Sequence, residues 1–254
     1  MKSFDATAMM HLLRPDWDAP PAVRVLSTTR AGGVSLGAYR SLNLADHVGD
    51  DPRAVQANRR RLNAEAGVPT DPVWLNQVHG KAVIRIDRNL RVSAPDADAA
   101  VAFSPGAVCA IMTADCLPVL LCDEDATVVA AAHAGWRGLA AGVVESAVAS
   151  MHQPAERLMA WLGPAIGPDH FEVGEEVRTC FCEASPRARD AFRPSVNGRW
   201  LADLPLLARQ RLNDLGVWRV AGGECCTFAD PERFFSYRRD GATGRMASLI
   251  WLES

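Results

Sequence analysis

Short apolar runs recur along most of the chain, and they alternate with turns rich in Gly, Pro, Asp and Ser. Runs of this length that are rich in Val, Ile and Leu predict β-strands. The predicted strands cover residues 23–28, 73–78, 83–86, 99–103, 108–112, 119–122, 127–132, 158–162, 217–221 and 246–252. Several of them follow one another with no room for a helix between them. The pattern therefore favours hairpins or mixed sheets over regular βαβ units.

Apolar positions at helical spacing are confined to a few segments. The clearest begins with Asp51 followed by Pro52 and stops at Gly67, which is the order typical of an N-cap, a first helical turn and a C-terminal stop. Three further helices are predicted: from after Gly138 to about residue 152, over 175–182 and over 204–215. Strands outnumber helices, which indicates an α+β fold.

Composition narrows the class of protein further. The 254 residues include 27 Lys and Arg against 30 Asp and Glu, 48% are hydrophobic and 22% are charged. These values are typical of a globular chain, and they exclude a basic surface for nucleic acid. No long apolar stretch predicts a membrane span, and the N-terminus lacks a signal-peptide pattern. The seven unevenly spaced cysteines favour a reducing, cytoplasmic location, and we expect residues 1–254 to form a single domain.

Three residues with metal-ligand chemistry lie where predicted strands meet turns: His79, Cys116 and His133. One thiolate and two imidazoles could supply three ligands to zinc and leave the fourth position open, as in catalytic sites. The residues are too far apart along the chain for a local zinc finger. They could equally be buried structural histidines and a buried cysteine. Spacing alone leaves both interpretations open.

Six separated segments of the chain carry a family resemblance. They read TTRAGGVSLGAYRSLNLADHVGDDP (28–52), NQVHG (76–80), ADCLPVLL (114–121), AAHAGWRG (131–138), GPAIGPDHFEVGEEV (163–177) and FFSYRRDGATGRMASLIW (234–251). Together they resemble the YfiH family, which has been labelled multicopper polyphenol oxidoreductase or laccase-like, and peptidoglycan-editing factor. The family is also linked to zinc-dependent purine nucleoside chemistry.

The resemblance implies a fold, a metal site and an activity. The implied fold is a layered α/β/β/α arrangement with mixed β-sheets. His79, Cys116 and His133 would be the metal ligands and the centre of the active site. The implied activity is phosphorolysis of adenosine, inosine, guanosine or 5′-methylthioadenosine, with hydrolytic deamination of adenosine as a second activity. The expected partners are accordingly purine nucleosides and phosphate, with no nucleic acid and no membrane.

Further residues are candidates for supporting roles in that chemistry. Asp115 could act as a general base, orient a ligand imidazole, or simply form a turn. Phosphorolysis needs cationic groups for the phosphate, and Arg30, Arg137 and Arg238 are the candidates, although each could also be a surface or ion-pair residue. Arg137 is preferred because it is closest in sequence to a proposed ligand.

Three other functions compete with this interpretation. A multicopper oxidase is excluded because the chain has six histidines and no His-x-His pair, although copper could enter the His79, Cys116 and His133 site adventitiously. A metal-free cysteine hydrolase acting on a cell-wall precursor would use Cys116 as nucleophile and one of the two histidines as base. A non-catalytic interaction module would need zinc with a fourth protein ligand.

Overall fold

The computed structural model describes residues 9–87, 90 and 94–253. The strands in these residues are β1 (Leu12–Leu13), β2 (Val23–Thr28), β3 (Val83–Ile86), β4 (Ala99–Ala102), β5 (Val108–Thr113), β6 (Leu117–Asp123), β7 (Val129–Ala134), β8 (Leu158–Leu162), β9 (Glu172–Val173), β10 (Phe192–Pro194), β11 (Trp200–Ala202), β12 (Arg219–Gly222) and β13 (Met246–Leu252). The α-helices are α1 (Pro52–Ala66), α2 (Trp136–Ala141), α3 (Val143–Ser150), α4 (Glu175–Ala184), α5 (Leu204–Asp214) and α6 (Tyr237–Asp240). Short 3-10 helices cover Gly37–Tyr39, Ala155–Arg157, Pro186–Ala191 and Val196–Gly198.

The strands form three sheets. The largest has the order β12-β8-β6-β7-β4-β3 and is mixed, because its two outermost pairs are parallel and its central pairs are antiparallel. A second, antiparallel sheet has the order β1-β2-β13-β5. A small antiparallel sheet, β10-β11-β9, completes the set.

The two larger sheets pack face to face. Leu120 of β6 and Trp161 of β8 lie in one apolar core with Ile111 of β5 and Ile250 of β13. Adjacent residues in a strand point to opposite faces, so Leu121 of β6 packs in a different core, on the outer face of the six-stranded sheet. Both faces of the central strands are therefore buried.

Helices cover the two outer faces. α3, α4 and α5 pack on the six-stranded sheet through residues such as Val144, Phe181 and Leu207. α1 packs on the four-stranded sheet, where Leu62 joins Leu249 of β13. The order of layers is helix, sheet, sheet, helix, which confirms the α/β/β/α arrangement expected from the family resemblance.

The N-cap and the C-terminal stop predicted for α1 are confirmed. The Asp51 side chain accepts a hydrogen bond from the backbone N–H of Arg53 at 2.9 Å, and Pro52 occupies the first helical position. Gly67 ends the helix with φ of 65°, a conformation that glycine adopts without steric cost.

One predicted strand is wrong, and one predicted helix differs in its start and continuity. Residues 73–78 form only isolated bridges, because the Gln77 side-chain amide, rather than a backbone ladder, pairs with both backbone groups of Met112 at 2.8 Å. The helix predicted after Gly138 starts earlier, at Trp136, and is divided into α2 and α3. Gly142 separates them with φ of 95°, which is outside the helical region.

Among the described residues, every helix is too short or too polar to span a bilayer.

The packing between the two sheets yields a stability prediction. Leu120→Ala removes a fully buried side chain from that core, so we expect the free energy of unfolding in urea to fall by about 2–5 kcal/mol. Leu36→Ala is the control, because Leu36 is exposed and its truncation should change the value by less than about 0.5 kcal/mol. Equal losses in the two variants would contradict the face-to-face packing.

Candidate functional site

The three residues with metal-ligand chemistry converge at one edge of the six-stranded sheet. Cys116 immediately precedes β6, and His133 is the penultimate residue of β7. The β6–β7 pairing places the start of β6 beside the end of β7, with Pro118 opposite His133. His79 reaches the same point from the loop before β3. The ligand atoms of His79, Cys116 and His133 all lie within 4.8 Å of one another, so this group could hold a metal ion.

A buried carboxylate, Asp98, supports both histidines. It lies just before β4, is fully buried, and accepts a hydrogen bond from His133 Nδ1 at 2.8 Å. The same carboxylate accepts backbone N–H bonds from Val78 at 3.2 Å, His79 at 3.0 Å and Gly80 at 2.6 Å. An ionised carboxylate only accepts, so Nδ1 of His133 carries the hydrogen and Nε2 is the nitrogen available to a metal.

Asp98 is not among the site residues predicted from the sequence. The signal that could have identified it is a carboxylate directly before a strand made of small apolar residues, where a buried charge needs several hydrogen-bond donors. Its donors come from other segments, so the chain around residue 98 gives no indication of them.

Electrostatics differ between the two histidines. Burial lowers the pKa of His133, but the electrostatic interaction with Cys116 and the hydrogen bond to Asp98 outweigh this effect and raise that pKa to about 9. Burial and the nearby positive charge of His133 lower the pKa of His79. The negative surroundings that favour a proton on His133 also favour a metal cation at this point.

Backbone conformation at the site is unusual in two places. His79 has φ of 60° and Asp115 has φ of 93°, although neither is glycine. Residues held in the left-handed region cost free energy and are common at functional sites. Each here is held by hydrogen bonds, His79 through its backbone N–H to Asp98 and Asp115 through its side chain.

Gly135 leaves the space that two of the candidate ligands occupy. It is the N-cap of α2, with extended backbone at φ of −61°. A Cβ atom at this position would lie 2.9 Å from Cys116 Sγ and 3.0 Å from His79 Nδ1. Both distances are shorter than normal van der Waals contacts, so a larger residue would displace the ligand side chains.

A cavity of about 480 Å³ adjoins the three candidate ligands. Its walls include the rings of His47, Trp136, Phe171 and Tyr237. Cavities of this size, with apolar walls and a few convergent polar groups, are typical of small-molecule sites. Planar rings of this kind are suited to contact the faces of a planar ligand.

The predicted phosphate-binding arginines do not all lie at this cavity. Arg137 and Arg238 line it. Arg30 does not belong to its lining, because the Arg30 guanidinium donates to the backbone carbonyls of Arg40 at 3.0 Å and Pro231 at 2.9 Å. Arg30 connects two loops outside the cavity lining, so the structure does not bring it together with Arg137 and Arg238.

Arg245, which the analysis of the sequence missed, also lines the cavity. Its Nη1 donates to the backbone carbonyls of Thr243 at 2.9 Å and Gly244 at 3.0 Å, which fixes the guanidinium in place. Burial lowers the pKa of Arg245, although the negative charges of Cys116 and Asp115 partly offset this effect. Within the described part of the chain it forms no ion pair with a carboxylate. The available signal was its position inside the last resembling segment, directly before β13.

Asp115 also lines the cavity, but its carboxylate has other partners than the imidazoles. One oxygen accepts from the Thr227 hydroxyl and the other from the backbone N–H of Arg238, both at 2.7 Å. The carboxylate hydrogen-bonded to the His133 imidazole is that of Asp98, not that of Asp115.

The number of protein ligands distinguishes a structural zinc site from a catalytic one. Where the structure describes the chain, no His, Cys, Asp or Glu other than His79, Cys116 and His133 joins this cluster. Structural zinc normally has four protein ligands, whereas catalytic zinc has three and an open position. The donor set fits the second kind.

Comparison with known proteins assigns the chain to a family. The sequence profile described as multi-copper polyphenol oxidoreductase laccase matches residues 24–253. The chain belongs to this laccase-like family. Solved structures agree: a Neisseria meningitidis protein of the DUF152 family has a TM-score of 0.92 at 53% identity, over 96% of this chain and 99% of that one. YlmD from Geobacillus stearothermophilus has a TM-score of 0.89 at 31% identity, over 96% of both chains.

Curated relatives within the laccase-like family bear an enzyme name. A purine nucleoside phosphorylase of Pseudomonas aeruginosa is 57% identical over 244 residues, which covers 95% of this chain and 98% of the relative. Purine nucleoside phosphorylase YfiH of Escherichia coli (strain K12) is 53% identical over 244 residues, covering 96% of this chain and 100% of the relative. The resemblance to the YfiH family is therefore confirmed.

The position of Gly135 yields a prediction for metal binding. Gly135→Ala adds a Cβ against Cys116 Sγ and His79 Nδ1, so we expect zinc affinity, measured by competition with a chromophoric chelator, to fall on the order of tenfold. Gly174→Ala is a matched control: Gly174 is the N-cap of α4 with φ of −83°, and the three atoms nearest to a Cβ there all belong to the flexible side chain of Glu176. Unchanged zinc affinity in Gly135→Ala would show that the close approach is not needed.

Proposed function

We propose that the protein is a purine nucleoside phosphorylase acting on adenosine, inosine, guanosine or 5′-methylthioadenosine. The observation that carries the proposal is a single cavity that brings together a group able to hold a metal ion and three arginines: Arg137, Arg238 and Arg245. The full-length similarity to relatives that bear this enzyme name supports it.

The reaction sets three demands on the site. A phosphate oxygen attacks C1′ of the ribose, the bond between C1′ and the purine nitrogen breaks, and its electron pair leaves with the base. The base takes up a proton, and the products are ribose 1-phosphate and the free purine. The site must therefore bind a phosphate, align it with C1′, and stabilise the departing base.

Cationic side chains can meet the first demand. Arginine binds phosphate through several N–H donors in a fixed plane. Arg245 is pre-positioned by its two carbonyl partners, and the Arg238 guanidinium donates to one, the carbonyl of Glu172 at 2.7 Å, whereas Arg137 is exposed. We assign phosphate binding to these three, with Arg245 as the most constrained member.

The aromatic side chains in the cavity wall can hold the nucleoside so that its C1′ is aligned with the phosphate, which is the second demand. Phe171 and Tyr237 lie in the same lining as the arginines, so a purine stacked on either ring would be close to a phosphate bound by Arg238. Asp115 holds the backbone N–H of Arg238 and so fixes the start of α6, which carries both Tyr237 and Arg238. Proton transfer to the base stays a second candidate role for Asp115.

Zinc is the metal that we propose for the site. His79, Cys116 and His133 are a nitrogen and sulfur donor set of the kind that zinc prefers, and they would hold it through one thiolate and two imidazoles. Zinc bound there would supply Lewis-acid chemistry. Copper competes well for the same donors, so copper found in purified protein would be an adventitious occupant.

Deamination of adenosine is the second candidate activity. The observation that favours it is the set of three donors, because such a set leaves one metal position open to a reactant. A metal-free cysteine hydrolase would use the hydrogen-bonded pair of Cys116 and His133 instead. Metal content distinguishes the cysteine hydrolase from the two zinc-dependent activities, because a thiolate that binds zinc is not free to attack a substrate.

A cytoplasmic location is part of the proposal. It rests on the cysteines, all seven of which are free thiols in the structure.

Product analysis tests the proposed reaction. Protein of known zinc content is incubated with adenosine, with and without phosphate, and the products are separated by liquid chromatography. We expect adenine and ribose 1-phosphate only when phosphate is present. Inosine formed without phosphate would make deamination the first activity. Cys116→Ser is the control, because it removes one proposed ligand and should lose zinc and turnover together. Full turnover without metal would contradict the zinc site.

Arg245→Gln tests the phosphate site. Loss of a fixed cation should raise KM for phosphate by about tenfold to a hundredfold, the effect of removing a hydrogen bond to a charged group, with little change in KM for the nucleoside. Arg209→Gln is the matched control: Arg209 is also bound to two backbone carbonyls, those of Val220 and Gly222, but does not line the cavity. An unchanged KM for phosphate in Arg245→Gln would remove Arg245 from the phosphate site.

A further inference from the structure

We propose that Asp98 is a shared positioning residue that makes His79 and His133 metal ligands together, so that the site forms or is lost as one unit. The inference rests on the metal site of the proposed function, but not on phosphorolysis. Asp98 itself donates no atom to the cluster of His79, Cys116 and His133.

Backbone hydrogen bonds on both sides hold Asp98 in a fixed position. Its backbone N–H donates to the carbonyl of Ala82 at 3.0 Å, on the approach to β3. Its carbonyl accepts from the backbone N–H of His133 at 2.7 Å, on β7. The residue is thus joined to the segments of both histidines by its backbone as well as by its side chain. It cannot move without disturbing one of them.

The Asp98 side chain fixes the ring of His133. This residue is 3% exposed, and its Nδ1–H donates to the Asp98 carboxylate, which sets both the ring orientation and the tautomer. A group that cannot accept this bond would permit the other tautomer, in which the hydrogen is on Nε2. That tautomer has no lone pair on Nε2 for the metal.

The backbone of His79 depends on Asp98, although the His79 ring also contacts the His133 ring, with 4.8 Å between the centroids. Val78 and His79 are exposed, so few apolar contacts stabilise their loop. The three consecutive N–H groups of residues 78–80 instead point at the Asp98 carboxylate. Because three donors on one short segment share one anion, they form a nest around it, and the left-handed backbone of His79 is what this geometry requires. His79 is therefore positioned through its backbone.

Dependence on one carboxylate predicts energetic coupling between His79 and His133, although they belong to distant segments of the chain. If both depend on one carboxylate, removing the charge should weaken both metal bonds at once. Mutating His79 afterwards should then cost little further affinity, since its contribution has already been lost. Independent ligands would give additive losses.

Asp98→Asn is the variant that tests this, because the amide has nearly the same shape but cannot accept all four bonds. Two readouts need no turnover. Zinc affinity is measured by competition with a chromophoric chelator, and we expect a tenfold to hundredfold loss, the size typical of groups that support metal ligands. The imidazole nitrogens and the amides of residues 78–80 are followed by nitrogen-15 NMR in zinc-free protein. The one acceptor oxygen of the amide can serve His133 and His79, which share Oδ1 of Asp98, or Val78 and Gly80, which share Oδ2, but not both pairs. We therefore expect faster exchange of the amides of residues 78 and 80, or loss of the His133 Nδ1–H signal together with faster exchange at residue 79.

Asp123→Asn is the matched control. Asp123 is also a buried aspartate that accepts backbone N–H bonds, from Thr127 at 2.7 Å and Val128 at 2.9 Å, but it holds the β6–β7 turn at the opposite end of these strands. We expect this variant to lower stability and to leave zinc affinity unchanged. Equal loss of zinc affinity in Asp123→Asn and Asp98→Asn would overturn the proposal, because destabilisation alone would then explain it.

A double-mutant cycle tests the coupling itself. We expect His79→Ala to reduce zinc affinity much less in the Asp98→Asn background than in the wild type. Additive losses would overturn the shared role. If Asp98→Asn does not fold, the wild type decides: a protected His133 Nδ1–H and slow exchange at residues 79 and 80 in the zinc-free protein support the proposal, and their absence overturns it. Zinc binding that depends on Asp98 in a protein that releases no purine would leave this inference intact while the proposed function fails.

Discussion

The register between β6 and β7 is the constraint on which the site depends. Val119 of β6 packs toward the helices, whereas its neighbour Leu120 packs toward the second sheet. Because both faces of these strands are buried, a shift of one residue would exchange the two sets of side chains. The fixed register leaves Cys116 at the start of β6 beside His133 near the end of β7. On the other side of β7, the pairing with β4 places Asp98 next to His133 in the same way.

Polar contacts hold the backbone of two residues in the loops at this edge. His79 and Asp115 both have left-handed backbone, a conformation that costs a non-glycine residue about 1–3 kcal/mol. Hydrogen bonds to Asp98 offset this cost at His79, and bonds from Thr227 and Arg238 offset it at Asp115. The layered core fixes where the strands end, and these contacts fix how the loops present their side chains.

Groups of both charges lie at the site. Asp98 and Cys116 supply negative charge around the histidines, which favours a cation there. Arg137, Arg238 and Arg245 line the adjoining cavity and favour an anion. A metal ion and a phosphate can thus be bound close together without direct competition for the same groups. Cationic side chains near the site suit phosphorolysis, because the nucleophile is itself an anion.

Local chemistry in the sequence determined most of the strands, the limits of α1 and the identity of the three metal-ligand candidates. Periodicity, an N-cap and a stopping glycine act over a few residues, and they can be read from neighbouring positions. Tertiary structure alone decided that Asp98 joins two histidines, that Arg245 lines the cavity, and that Arg30 binds carbonyls elsewhere. It also decided that residues 73–78 form no strand. Each of these outcomes depends on which distant segment supplies the hydrogen-bond partner, and strand register, not local pattern, sets that partner.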